Sequence, residues 1–144
     1  VIYAMQNDLE AIHWKKASFH YNGEGLRDGV DFPSTVKELS KFRKAKDWGK
    51  AAALETLLAA AAWSPQRKIE AQITVPDEDR VCHLCGQDEC DDLHQMWTCP
   101  ALQNSDNPDI RNTQKFIECA LNEVERFPCL WLRGILPKIL ELNG

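Results

Sequence analysis

The chain has 144 residues, of which 44% are hydrophobic and 27% charged, with a formal net charge of −5. That supports one ordinary core and excludes a protein whose whole surface binds nucleic acid. Its most apolar tract, "AAALETLLAAAAW" at 51–63, is interrupted by Glu55 and closed by Ser64-Pro65, well short of the roughly 18 apolar residues of a membrane helix.

No basic segment followed by an apolar stretch marks a secretory leader. The chain opens on Val1 in place of Met, so a trimmed or processed chain is expected. Ile2, Met5, Leu9 and Ile12 recur at helical spacing and predict an amphipathic helix over 1–19. "HYNGEGLRDGVDFPS" carries three glycines and a proline and reads as a loop. Thr35 with Glu38 has the form of a capping box opening a helix over 35–46, whose apolar side is Val36, Leu39 and Phe42. Residues 48–63 predict a second helix by propensity alone, ended by Ser64-Pro65. "IEAQITV" at 69–75 is the one predicted strand.

Further along, Asn107, Pro108 and Asp109 supply an N-cap, a first-turn proline and a first-turn acid for a helix over 108–127. Cys119 on that helix is expected in the core, as is Cys129 beyond it. The fold expected is mainly α, a small helical domain with a zinc-stapled, loop-rich knuckle. A helical segment at 1–76, the knuckle at 77–104, and a helix plus apolar tail at 105–144 would form one compact unit.

The chemistry concentrates in "RVCHLCGQDECDDLHQMWTCP", residues 80–100. Cys82 and Cys85 are two residues apart and followed by Gly86, a spacing that lets a tight turn aim both sulfurs at one ion. His94 and Cys99, on a short helix expected over 92–98, complete a four-donor set of the softness zinc takes tetrahedrally, with no position left open for a substrate. His83 is expected to point away from the ion. Cys90 reads as a partly exposed free thiol, with replacement of a ligand by Cys90 or His83 left open. A redox pair at Cys82 and Cys85 would need a strand-to-helix setting that the chain lacks, and a secreted disulfide framework suits smaller chains. A reducing intracellular compartment, nucleus or organelle, is therefore expected.

This stretch, preceded by "AAAAWSPQRK", resembles the CCHC zinc knuckle C-terminal to the polymerase in LINE-type (non-LTR) retroelement reverse transcriptases. The resemblance implies that Cys82, Cys85, His94 and Cys99 bind zinc, with Trp97 as the aromatic near the last ligand, and that nucleic acid is a partner. No Asp pair able to hold two catalytic metals is present, and no Asp/Glu-x-Lys follows Pro108-Asp109 to complete a nuclease site. A non-catalytic remnant of that reverse-transcriptase-like region is expected.

Charge divides the two functions that remain. Residues 77–92 hold seven acids against one base, a surface that repels phosphate, whereas residues 37–50 carry a net charge of +4. The candidate RNA or DNA contacts are Lys37, Lys41, Arg43 and Lys44 on the basic helix. Leu130, Trp131, Leu132, Ile135 and Leu136, continued by Ile139, Leu140 and Leu142, either pack back on the helix at 108–127 or form a docking surface for protein partners. The expected role is a structural or accessory subunit of a larger complex; the alternative is a nucleic-acid-binding module.

Overall fold

A computed structural model describes residues 2–88 and 90–140. Val1, Glu89 and residues 141–144, with Leu142 of the apolar tail among them, lie outside the described residues. Eight α-helices run in order through the described residues: α1 (Ile2–Ala17), α2 (Phe32–Lys44), α3 (Trp48–Leu58), α4 (Pro65–Glu70), α5 (Pro100–Gln103), α6 (Pro108–Gln114), α7 (Ile117–Glu123) and α8 (Pro128–Trp131). The mainly α expectation holds. The chain forms two compact units, residues 1–61 with 123–144, and residues 62–122. These boundaries differ from the division into 1–76, 77–104 and 105–144 drawn from the sequence.

Several element boundaries move for identifiable reasons. α2 begins three residues before Thr35, because the Asp31 side chain accepts a hydrogen bond from the Ser34 amide and Pro33 sits in the first turn. Thr35 is thereby released from capping, and its hydroxyl accepts from the Leu136 amide at 3.0 Å. α3 stops at Leu58, short of the predicted 63. Ala60 adopts φ +55° there, and the amides of Ala61 and Ala60 turn back to the carbonyls of Thr56 and Leu57, a Schellman ending. Lys46 and Gln72 close α2 and α4 in the same way.

Ser64-Pro65 starts a helix instead of ending one. The buried Ser64 hydroxyl accepts from the Arg67 amide at 3.3 Å, and Pro65 occupies the first turn. The predicted strand at 69–75 is thus overturned: its first residues belong to α4, and Gln72 at φ +59° breaks the extended run. Among the described residues, β-pairing is limited to one isolated antiparallel bridge between Val30 and Pro137. The predicted helix at 108–127 is broken between α6 and α7. Just before the break, the Thr113 hydroxyl donates to the Ile110 carbonyl at 2.7 Å, back-bonding that weakens a helix locally.

In the first unit the core is Leu26, Cys129 and Ile135, with Ala17, Val30 and Leu58 packed around it. The C-terminal segment therefore packs on the α1–α2 loop and the end of α3. Arg133, 9% exposed, fixes this arrangement. Its guanidinium donates to the Leu58 carbonyl at 2.7 and 3.2 Å and to the Tyr21 carbonyl at 3.4 Å, placing a cation at the negative end of α3. Reciprocal bonds from Asp31 to Leu136 and from Lys138 to Gly29 tie the loop to the tail.

α1 forms as expected but buries little: Ile2, Met5, Leu9 and Ile12 are exposed, and only its last turns, through Trp14 beside Gly29 and Ala17 on the core, are anchored. Cys119 is exposed, against the core position expected for it, while Cys129 is fully buried.

Gly25 sits at φ +97°, and a Cβ there would lie 2.9 Å from Cys129 Sγ and from the Phe127 ring. Gly25→Ala combines backbone strain with overpacking and should cost about 3 kcal/mol, read from the urea midpoint of unfolding. Burial pushes the Cys129 thiol up to about 11 from 9.0. Because the folded value lies above the unfolded one, the stability this thiol contributes is complete below pH 9 and lost as pH rises through 11. Cys129→Ala should remove that loss from the stability profile between pH 9 and 11, whatever it costs at neutral pH.

Candidate metal centre

The second unit is built around sulfur. Cys82 opens a tight turn in which the Gly86 amide donates to the Cys82 carbonyl at 2.7 Å, and the Cys82 amide donates to the Gln87 carbonyl at 2.9 Å. Gly86 takes φ +73° to close it, a conformation glycine adopts without steric cost. His94–Thr98 is a π-helical turn, and Cys99 follows in an extended conformation as the N-cap of α5. The expected helix over 92–98 is thus a wider turn, and the Cys99 amide bonds back to the His94 carbonyl at 2.9 Å. Such turns are frequent at functional sites.

These two pieces bring together the four residues singled out by spacing. Cys82 Sγ lies 3.8 Å from Cys99 Sγ, Cys85 Sγ lies 3.3 Å from His94 Nε2, and all four donor atoms fall within 4.8 Å of one another. Cys82 and Cys99 are buried, whereas Cys85 and His94 are half-buried. This cluster can hold a metal ion. His83 points out, its ring 3.8 Å from Asp79 and largely exposed. Cys90 departs from expectation: it is fully buried, packed with Cys82 and Cys99.

The backbone prepares the Cys82 thiol for ionisation. Burial pushes the Cys82 thiol up, but hydrogen bonds from the amides of Cys85 and Leu84, with those of the His94 and Cys85 side chains, outweigh it and bring the group down to about 6. Cys85 moves upward: the Gln87 amide lowers it, but burial and the Cys82 and Cys99 sulfurs raise it by more. A cation among these sulfurs relieves that mutual repulsion.

Two supporting contacts lie beyond the donors. Asp91 Oδ1 accepts from the His94 amide at 2.7 Å, fixing the start of the π-helical turn. The spacing of an acid three residues before a turn's first free amide is visible in the sequence, yet the metal pattern obscures it. From α4, the Gln66 amide donates to the Cys90 carbonyl at 3.2 Å. That contact between distant residues has no sequence signal.

The other predicted sites fare differently. Lys37, Lys41, Arg43 and Lys44 are exposed, but Lys41 pairs with Glu38 at 3.4 Å and Arg43 with Glu55. Of the tail residues, Ile135 is buried in the core, and Leu130, Trp131, Leu132 and Leu136 are half-buried. Part of their apolar surface is therefore used in folding and part stays accessible, while Ile139 is exposed. An open hollow lined by Trp14, Arg27, Asp28, Glu10 and Lys138 balances cations with carboxylates and concentrates no comparable chemistry. No described helix is long and apolar enough to cross a membrane.

Comparison with protein-family models, with curated proteins and with solved structures gives no match.

Removing the Asp91 carboxylate leaves the His94 amide without its partner and the ligand turn less defined. Asp91→Ala should weaken metal binding about 10-fold, the lower end of the effect of supporting contacts, measured by competition with a chromophoric chelator.

Proposed function

We propose that the chain is a non-catalytic, zinc-stabilised accessory module of a larger protein assembly, with Cys82, Cys85, His94 and Cys99 as the zinc ligands. The observation that carries this reading is the convergence of four donor atoms within 4.8 Å. Zinc–sulfur bonds of about 2.3 Å at tetrahedral angles place two sulfurs about 3.8 Å apart, which agrees with the 3.8 Å between Cys82 and Cys99. A set of three thiolates and one imidazole fills the tetrahedron, so no position remains to activate water or a substrate. The ion supplies folding energy and charge compensation.

All six cysteines are free thiols, which supports a reducing compartment, in the nucleus or an organelle. Descent from the C-terminal region of LINE-type reverse transcriptases rests on the Cys-Cys-His-Cys spacing alone. A protein partner is supported by the exposed Ile2, Met5, Leu9 and Ile12 of α1, unpartnered apolar surface of the kind that marks interaction sites. Charge works against the alternative of RNA or DNA binding. Asp77, Glu78, Asp79, Asp88, Asp91 and Asp92 surround the knuckle sequence, and two of the four basic candidates on α2 are paired with glutamates.

A native mass spectrum of the purified protein should show one zinc per chain and no RNA. Cys99→Ala should lose the zinc and lower the unfolding temperature by about 10 °C or more, because binding and folding are coupled in such sites. A zinc-free wild-type chain, or a stable complex with RNA, would overturn the proposal.

A further inference from the structure

α1 carries its apolar residues on the side turned away from its own unit. Asn7, Glu10, Ala11 and Trp14 share one face and overlook the hollow whose other wall includes Arg27, Gly29 and Lys138. Ile2, Met5, Leu9 and Ile12 share another: at about 100° per residue they fall within an arc of about 80° on the opposite side of the helix. Each of the four is at least half exposed, from 72% at Ile2 to 50% at Ile12. A helix that merely packs on its own domain shows the reverse, with its apolar stripe inward.

The spacing of this stripe selects what can cover it. Steps of three, four and three residues are those of successive a and d positions in a heptad repeat, and the flanking e and g positions are Gln6, His13, Asp8 and Lys15. A stripe confined to a and d between polar flanks is the narrow seam that takes another helix, knobs into holes, whereas the apolar face of a helix on a globular core is broader. We infer that this seam is a self-association surface, on which α1 of a second copy of the chain lies parallel to α1. The inference rests on the reading above of a module that works within a protein assembly, and it names one partner in that assembly.

Polar complementarity sets the partner and its direction. In a parallel pair each g position meets the following e position of the other helix, so the Asp8 carboxylate accepts a hydrogen bond from His13 of the second copy, and symmetry makes the contact twice. Among the described residues of one chain, neither side chain has a partner of its own. An antiparallel pair on the same seam would set Asp8 beside Asp8 and lose the match. Lys16 occupies the next seam position, and its charge ends the contact where each helix joins its own unit. Trp14 beside Gly29 and Ala17 on the core already anchor the helix there, so association has little new chain to order. A helix of 16 residues gives a seam about 24 Å long. That is small beside a permanent interface, so the pair forms in a concentration-dependent way.

The test is sedimentation velocity of the full chain, supplied with zinc, over about 1 to 300 µM. The wild type should pass from monomer to dimer across that range. Leu9→Glu, at an exposed position, should weaken the dimer about 30-fold or more with an unchanged circular dichroism spectrum. Asp8→Lys should weaken it about 10-fold, and adding His13→Glu should restore it, which an antiparallel pair cannot do. The inference is overturned by a chain that stays monomeric, by a dimer indifferent to Leu9→Glu, or by a double variant as weak as Asp8→Lys alone. An assembly of three or more copies, or a monomer whose seam takes a different protein, overturns it equally. Should Leu9→Glu disturb folding, the Asp8 and His13 variants decide. Zinc content measured on the same samples keeps the two readings apart, because all four donors lie in the other unit, residues 62–122. A zinc-free chain that dimerises sinks the zinc reading alone, and a zinc-bound monomer sinks this one alone.

Discussion

The constraint on which the second unit depends is the mutual repulsion of sulfurs packed where a hydrophobic core would otherwise lie. Among the described residues of 62–122 the buried apolar positions are Pro65, Val75, Ala120 and three cysteines, accompanied by Ser64 and Arg67. A unit of about sixty residues is marginal even with an aliphatic core, because too little of its surface can be buried. Here that core is largely replaced by a cluster of donors that could hold a metal ion. The turn at Cys82–Gly86, the π-helical turn at His94–Thr98 and the short α5 are held by local backbone and side-chain hydrogen bonds that aim the donors at one another.

The first unit solves the same problem with the chain itself. Its helices are joined by a glycine-bearing loop and closed by the C-terminal segment, which brings Cys129 and Ile135 against Leu26. Among the described residues of that unit the buried cation is Arg133, which spends its guanidinium on the backbone carbonyls of Leu58 and Tyr21. This choice matters because an unpaired buried charge is costly, whereas carbonyls at a helix end offer partners already poised for a cation. Gly23 serves the same closure. A side chain there would strike the Ala17 carbonyl at 2.2 Å, so the chain can leave α1 tightly only through glycine.

How much of this was legible depends on the range of the interactions. The four clustered donors were legible because their spacing encodes two tight turns, and local geometry suffices to face the pairs inward. Helix starts marked by local chemistry, such as Asn107-Pro108, were also legible; the Asn107 side chain accepts from the Asp109 amide at 2.9 Å as its position suggests. Competing local signals were harder. Thr35 and Glu38 fit a capping box, but Asp31 with Pro33 offered an earlier start, and tertiary contact then claimed the Thr35 hydroxyl. The strand at 69–75 failed because β-branched residues carry weight only when another strand is there to pair with. The place of the tail depended on residues dozens of positions away and left no periodic trace, whereas Cys90 is buried against Cys82 and Cys99, eight and nine positions off.

The site's chemistry follows from where its charge lies. A metal centre that activates a substrate keeps one coordination position open and concentrates cationic or proton-transferring groups around it. Here four donors converge on one point, and carboxylates run throughout the flanking sequence. Those carboxylates also oppose a phosphate backbone, while the basic residues of α2 are partly neutralised by Glu38 and Glu55. Lys37 and Lys44 are left as exposed point charges on a helix, and two cations give a weak grip on a polyanion whose binding grows with every phosphate neutralised. The exposed Ile2, Met5, Leu9 and Ile12 of α1, by contrast, cost free energy in water for as long as they stay uncovered.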